Sequence, residues 1–299
     1  MNKVICKLII SGALYAFLLA FSACTVGGEP VELNESVDFG SRSSGGNVTV
    51  SSSSKGMGGD SVIDEAVSRM EWVDIPAMVL TKGGTSYSVN GFRMVTTEVT
   101  QYLYSKLMGS MPAQNNKGEN YPVENVNWFQ AALFCNVLSK QMGLDTAYVY
   151  RSVGEKSYLE DLYIDYSVKS VRLPTELEWE VAAHGGTTST YYWGTEVAST
   201  YAYYGQSKGP AEVAERTPNS YSLYDMAGNV AEWVNDWYGA FPTKESENYT
   251  GVLQGSARVV RGGGWNDPVK ECAPDMREKK DPLYASHALG FRVVYSKGF

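Results

Sequence analysis

Asp225 and Glu232 are the residues whose types and spacing most directly suggest chemistry. They stand seven positions apart in NSYSLYDMAGNVAEWVNDWY (residues 219–238). Between them lie Gly228 and Asn229, both suited to left-handed backbone. A tight loop of this kind can aim two carboxylates and several backbone carbonyls at one point, an oxygen-rich arrangement that suits a hard cation such as calcium. A capped turn with two solvated acids has the same spacing, so residue types alone leave both readings open. Other reactive groups are sparse. The only histidines are His184 and His287, and the sequence has no spaced metal cluster, Gly-rich phosphate loop or nucleophile–base pair. Glu178 and Glu180 look like paired acids for catalysis. Thr175, three residues before Glu178, explains the first as part of a capping box, and Glu180 is expected to be a structural hydrogen-bond acceptor.

Three stretches together carry a family resemblance: LYDMAGNVAEW (223–233), RLPTELEWE (172–180), and RVVRGGGWN (258–266) with LGFRVV (289–294). In their order along the chain they resemble the formylglycine-generating enzyme family, also called the sulfatase-modifying-factor domain. The resemblance implies an α+β fold, a loop-rich variant of the C-type lectin fold with antiparallel strands and two to three helices. It also implies a calcium site formed by the side chains of Asp225 and Glu232 and the backbone carbonyls of Gly228 and Val230. At the family's other calcium site an Asn is expected after Ala202, and this chain has Tyr203.

Active members of the family resemble copper oxidases. Two cysteines, two and seven residues after the aromatic of an RGGS-aromatic turn, hold Cu(I) and oxidise a substrate cysteine. Here the aromatic is Trp265, Gly264 replaces the serine, Asp267 stands two residues on and Cys272 seven. A carboxylate is a hard ligand and does not replace a thiolate on Cu(I), so copper is not expected and the chain reads as a non-enzyme. In ligand-display relatives, including variable proteins diversified by retroelements, the C-terminal segment is the binding face. That implies a face built from Trp265, Asp267, Lys270, Glu271, Asp275, Met276, Glu278, Lys279, Tyr284 and His287, with a protein or glycan as ligand. The alternatives are a copper-dependent oxidase acting on sulfatase cysteine, and a structural lipoprotein of a gliding or secretion machine.

The elements that position these residues follow from pattern. Residues 1–23 read as a signal peptide: Lys3 and Lys7 precede the short apolar run Leu8–Phe21, and FSAC resembles a bacterial lipobox. Cys24 would then carry lipid, and Thr25 allows outer-membrane delivery. Residues 24–70, rich in Gly and Ser, are expected to be a flexible tether, and 71–299 the domain. Strands are expected in WVDIPAMVLTKGG and YSVNGFRMVTTEVT, followed by a helix capped by Thr97 and stopped at Gly109. Asn127 and Gln130 form a capping box for a second helix whose face holds Cys135. By resemblance, the family's partner for Cys135 would follow GFR, where this chain has Val293. Cys135 and Cys272 could still pair with each other, since both would lie in an oxidising compartment. Residues 144–170 read as a Tyr-rich strand or hairpin insertion, and Thr175 opens a third helix. The formal charge is −8, which disfavours a nucleic-acid partner and is compatible with calcium.

Overall fold

Alternating apolar residues at the start of the domain become two short antiparallel pairs. In the computed structural model, which describes residues 60–115 and 117–299, β1 (Trp72–Ile75) pairs with β4 (Phe92–Val95), and β2 (Met78–Lys82) with β3 (Thr85–Val89). Helix α2 (Gln101–Met108) follows. Its cap is Thr100 rather than Thr97: the Thr100 hydroxyl accepts from Leu103 N at 3.2 Å, while Thr97 turns its hydroxyl to the Glu98 carbonyl. Both threonines fit the cap chemically; the fold selects Thr100, whose neighbour Val99 bonds across to Phe291 and Val123. Helix α3 (Trp128–Gln141) carries the expected capping box of Asn127 and Gln130.

The Tyr-rich insertion forms two nested hairpins, β5 (Tyr148–Val149) with β8 (Tyr163–Ile164) and β6 (Ser152–Val153) with β7 (Leu159–Glu160). After β9 (Ser170–Arg172) comes α4 (Glu176–His184), capped by Thr175 and Glu178 and ended by Gly185. A short α5 (Ala198–Tyr201) leads through a long loop to β10 (Ala231–Trp237), followed by β11 (Ser246–Glu247), β12 (Arg258–Arg261), β13 (Glu278–Lys280), β14 (Leu289–Gly290) and β15 (Val294–Ser296). One four-stranded sheet runs β1-β4-β15-β9 and the other β13-β12-β10-β14. The fold is α+β, as the motifs implied.

Two apolar cores flank these sheets. One joins α2, α3 and the inner faces of β9 and β10 around Trp128, Phe134, Trp233 and Phe291. The other joins β1–β4 and α4 around Trp179, Met226 and Val259. Cys135 sits in the first and Cys272 in a third, small cluster with Trp193, so the two thiols are free and their pairing does not occur. The expected domain start at 71 is also too late. Helix α1 (Asp60–Ser68) falls inside the segment read as tether, yet it buries Ala66 against the α2–α3 core. The apolar residues Val62, Ile63, Ala66 and Val67 span little more than one turn, too short a pattern to stand out against the preceding Gly/Ser composition. The signal peptide, Cys24 and the tether up to residue 59 lie outside the described residues.

Candidate functional site

The 219–238 loop is tied down from several directions. Asp225, Gly228 and Asn229 all adopt left-handed backbone, with φ of 56°, 84° and 59°. A Cβ at Gly228 would meet the Tyr203 carbonyl oxygen at 2.2 Å, so only glycine fits. Tyr203, the residue that departs from the family's pattern, is thus itself part of the loop's packing. Asn229 sends its amide N–H to Tyr203 O at 2.8 Å, and its side-chain oxygen accepts from Ala211 N at 2.9 Å.

The two carboxylates expected to share a cation have different surroundings. Asp225 is buried, and one of its oxygens accepts from Ala214 N at 2.7 Å. Glu232 already has partners. The Arg292 guanidinium grips it at 2.7–2.8 Å, and Trp179 Nε1 donates to it at 2.7 Å. Glu232 is therefore the anion of a buried ion pair, not a free ligand. The third carboxylate is Glu98, which the sequence marked only as part of a helix start. Glu98 is 1 % exposed, has one oxygen without a partner, and lines a cavity of about 290 Å³. Burial raises its pKa well above the usual range, and the Asp225 charge adds to the effect. Burial likewise raises Asp225, to about 6. Three buried acids face a single guanidinium, so the surplus negative charge can be met by protons or by a cation. On this donor chemistry, all hard oxygen, Glu98 and Asp225 suit calcium better than Asp225 and Glu232.

At the RGG turn, Gly263 adopts φ 66°, and a Cβ there would meet Cys272 Sγ at 2.9 Å and Glu271 O at 3.0 Å. The turn is closed by the residue that replaces the first cysteine: Asp267 accepts from Gly264 N through its side chain at 2.8 Å and donates its own N–H to Gly264 O at 3.0 Å. Cys272 is fully buried, and its pKa is pushed up to about 12, first by burial and then by Asp267 and Glu271. A turn-capping carboxylate beside a buried neutral thiol does not fit Cu(I), which takes two available thiolates.

The residues expected on the binding face divide. Lys270, Asp275, Met276, Glu278, Lys279, Tyr284 and His287 are exposed, and Glu271 is half-buried. Trp265 is buried, with its N–H groups bonded to Asn229 O and His287 O, and Asp267 is committed to the turn. Trp265 therefore holds the face up from below, while the half-buried Asp267 closes the turn and still lines a cleft with Glu278 and Tyr284. Glu278 and Lys279 lie on β13, the outer strand of its sheet, and Lys280 lies over the Tyr284 ring at 5.3 Å. Glu180 accepts from Arg261 and pairs with Lys82, the structural role expected. The sequence showed no histidine-based metal cluster, but the fold brings ligand atoms of Glu180, His184 and Asp275 within 4.8 Å of one another. Asp275 reaches α4 from far along the chain, which spacing could not reveal.

These features define a C-type-lectin-like scaffold carrying the family's turns without its paired thiols. The chain belongs to the sulfatase-modifying factor enzyme 1-like domain family, whose model matches residues 44–297. It is 30 % identical to the chaperone protein LppX of Paenibacillus barcinonensis, over 74 % of this chain and 89 % of that one. It is 40 % identical to a serine/threonine-protein kinase pkn1 of Chlamydia pneumoniae, but over 41 % of this chain and only 20 % of the kinase. Among solved structures, Treponema denticola variable protein 1 superposes with a TM-score of 0.69 at 33 % identity, covering 76 % of this chain and 95 % of its own.

Proposed function

We propose that this chain is a non-catalytic binding lipoprotein of the bacterial cell envelope, held at the outer membrane by lipid on Cys24. Its ligand is a protein or glycan, bound through the exposed C-terminal face from Lys270 to His287. The observation that carries this reading is Asp267. It stands where the oxidase chemistry needs a thiolate, and both its side chain and its backbone are spent on closing the turn. The likeness to Treponema denticola variable protein 1 supports a display role and suggests diversification of the same segment. A structural calcium ion would be held by Asp225, the carbonyls of Gly228 and Val230, and Glu98, neutralising buried carboxylates and fastening the loop.

The test has two arms. A CxPxR-type peptide incubated with the protein, Cu(I) and oxygen should keep its cysteine, as read by mass spectrometry. Ligands recovered from an envelope protein and glycan panel should lose affinity at least tenfold on Lys279→Ala or Tyr284→Ala. Cysteine oxidation dependent on Cys272 would overturn the non-catalytic reading, and binding indifferent to both substitutions would overturn the assignment of the face. For the anchor, Cys24→Ser should move the protein from the membrane to the soluble fraction.

A further inference from the structure

A cavity of about 550 Å³, within the range of small-ligand sites, opens between the Tyr-rich insertion and the segment that follows β11. It is separate from the C-terminal face. Tyr158, Tyr163, Tyr166 and Trp237 supply aromatic wall, and Asn235 and Arg258 supply polar groups. The rim is open, with Tyr163 57 % exposed and Leu253 97 %.

Arg258 is the anomaly. Three other arginines of the domain are as deeply buried, and each grips a carboxylate: Arg172 holds Glu178, Arg261 holds Glu180, and Arg292 holds Glu232. Arg258 is 3 % exposed and has no carboxylate within 4.0 Å among the described residues. Its guanidinium lies over two indoles, 3.8 Å from the Trp128 ring centre and 3.5 Å from that of Trp237. One N–H bonds Asn235 O at 2.6 Å, while Nε has no partner. Burial lowers its pKa to about 10, so it stays charged at neutral pH. Beside it, Asn235 is fully buried; its side-chain oxygen takes the Tyr148 hydroxyl at 3.0 Å, and its amide nitrogen has no partner. The buried Asp236 acts on it only from beyond ion-pair distance, so this charge has no direct partner; a buried charge so placed is costly, and it sits in the wall of a cavity. With two indole rings against it and one N–H spent on Asn235 O, the guanidinium keeps an unpartnered Nε–H, a donor suited to a carboxylate.

We propose that this cavity binds a carboxylate-bearing sugar, a uronic acid unit of an acidic polysaccharide. Arg258 meets the carboxylate, Asn235 and Thr250 meet hydroxyls, and Tyr163 and Trp237 stack on the apolar face of the ring. The wall mixes aromatic faces with an amide and hydroxyls. An alkyl chain would leave those polar groups unmatched, whereas a sugar ring matches both kinds of surface.

The experiment is calorimetric titration of the full chain with glucuronate and galacturonate oligosaccharides, with their carboxyl-reduced counterparts, and with a short aromatic peptide bearing either a free or an amidated C-terminus. The acidic sugars are expected to bind at least tenfold more tightly than the reduced ones. Tyr163→Ala, at an exposed position, should weaken binding at least tenfold with an unchanged melting temperature. Leu253→Asp should weaken it by placing a negative charge at the mouth. Arg258→Gln should erase the preference for acid over neutral sugar; if that variant fails to fold, the two rim variants still decide. Absence of uronate binding, equal affinity for acidic and reduced sugars, indifference to both rim variants, or tighter binding of the free-acid peptide would each overturn the proposal. Lys279→Ala and Tyr284→Ala should leave uronate binding unchanged, so this site and the C-terminal face stand or fall separately.

Discussion

The 219–238 stretch, a loop that runs into β10, and the 265–287 segment, which contains β13, both carry several charged groups, yet they use charge in opposite ways. In the loop the ionised groups are buried and most are committed: Glu232 to Arg292 and Trp179, Asp225 to the Ala214 amide. In the C-terminal segment the charges of Lys270, Asp275, Glu278 and Lys279 face water; Lys270 and Glu278 pair with their half-buried neighbours Glu271 and Lys280, and Asp275 alone reaches inward, to Lys82 at 3.8 Å and His184 at 3.7 Å. A buried pair is costly to form but enforces one arrangement, whereas exposed charges contribute little to folding and remain free to meet a partner. The first region is therefore architecture. The second is a surface whose charges the architecture does not need.

Breaking the loop should have the largest effect. Arg292→Met leaves Glu232 buried and unpaired and should cost about 3–5 kcal/mol in urea unfolding; a loss below about 1 kcal/mol would remove the contrast between the regions. Gly228→Ala comes next. The left-handed backbone and the approach of Tyr203 O at 2.2 Å predict a cost of at least about 1–3 kcal/mol. Calcium should raise stability by about 2.7 kcal/mol at a hundredfold excess over its Kd. Asp225→Asn or Glu98→Gln should abolish that gain, and melting indifferent to both calcium and chelator would mean the surplus acids simply hold protons. In a version lacking residues 1–24, Cys135 and Cys272 should resist alkylation at pH 8 and react after denaturation, because burial raises both thiols. Fast labelling of native Cys272 would place it on the functional side of the comparison. Smallest of all, Lys279→Ala and Tyr284→Ala should shift stability by no more than about 0.5 kcal/mol while abolishing ligand binding.

Much of this was legible locally. The capping boxes of Asn127–Gln130 and Thr175–Glu178 form as read, because a cap is a contact between residues three apart. The nested hairpins of the insertion and the structural role of Glu180 also follow the reading. The misreadings share a cause. Thr97 and Thr100 are equivalent caps until long-range bonds at Val99 choose between them. Glu232 looked like a ligand because its partner, Arg292, is 60 residues away. Glu98 looked like a helix-start residue because its neighbours come from the 225–232 loop.

By itself the sequence determined the family, the turns that need glycine and the pairing of one carboxylate, Asp267, with one thiol, Cys272, after the RGG turn, since each depends on residue identity at a fixed local spacing. The tertiary structure alone decided which carboxylate faces which cation. It also decided that Trp265 supports the C-terminal face from below, that Asp267 closes the turn beside it, and that Arg258 is buried with no carboxylate within ion-pair distance among the described residues. Those outcomes depend on burial and on contacts between distant segments, and Coulomb energies change several-fold with both.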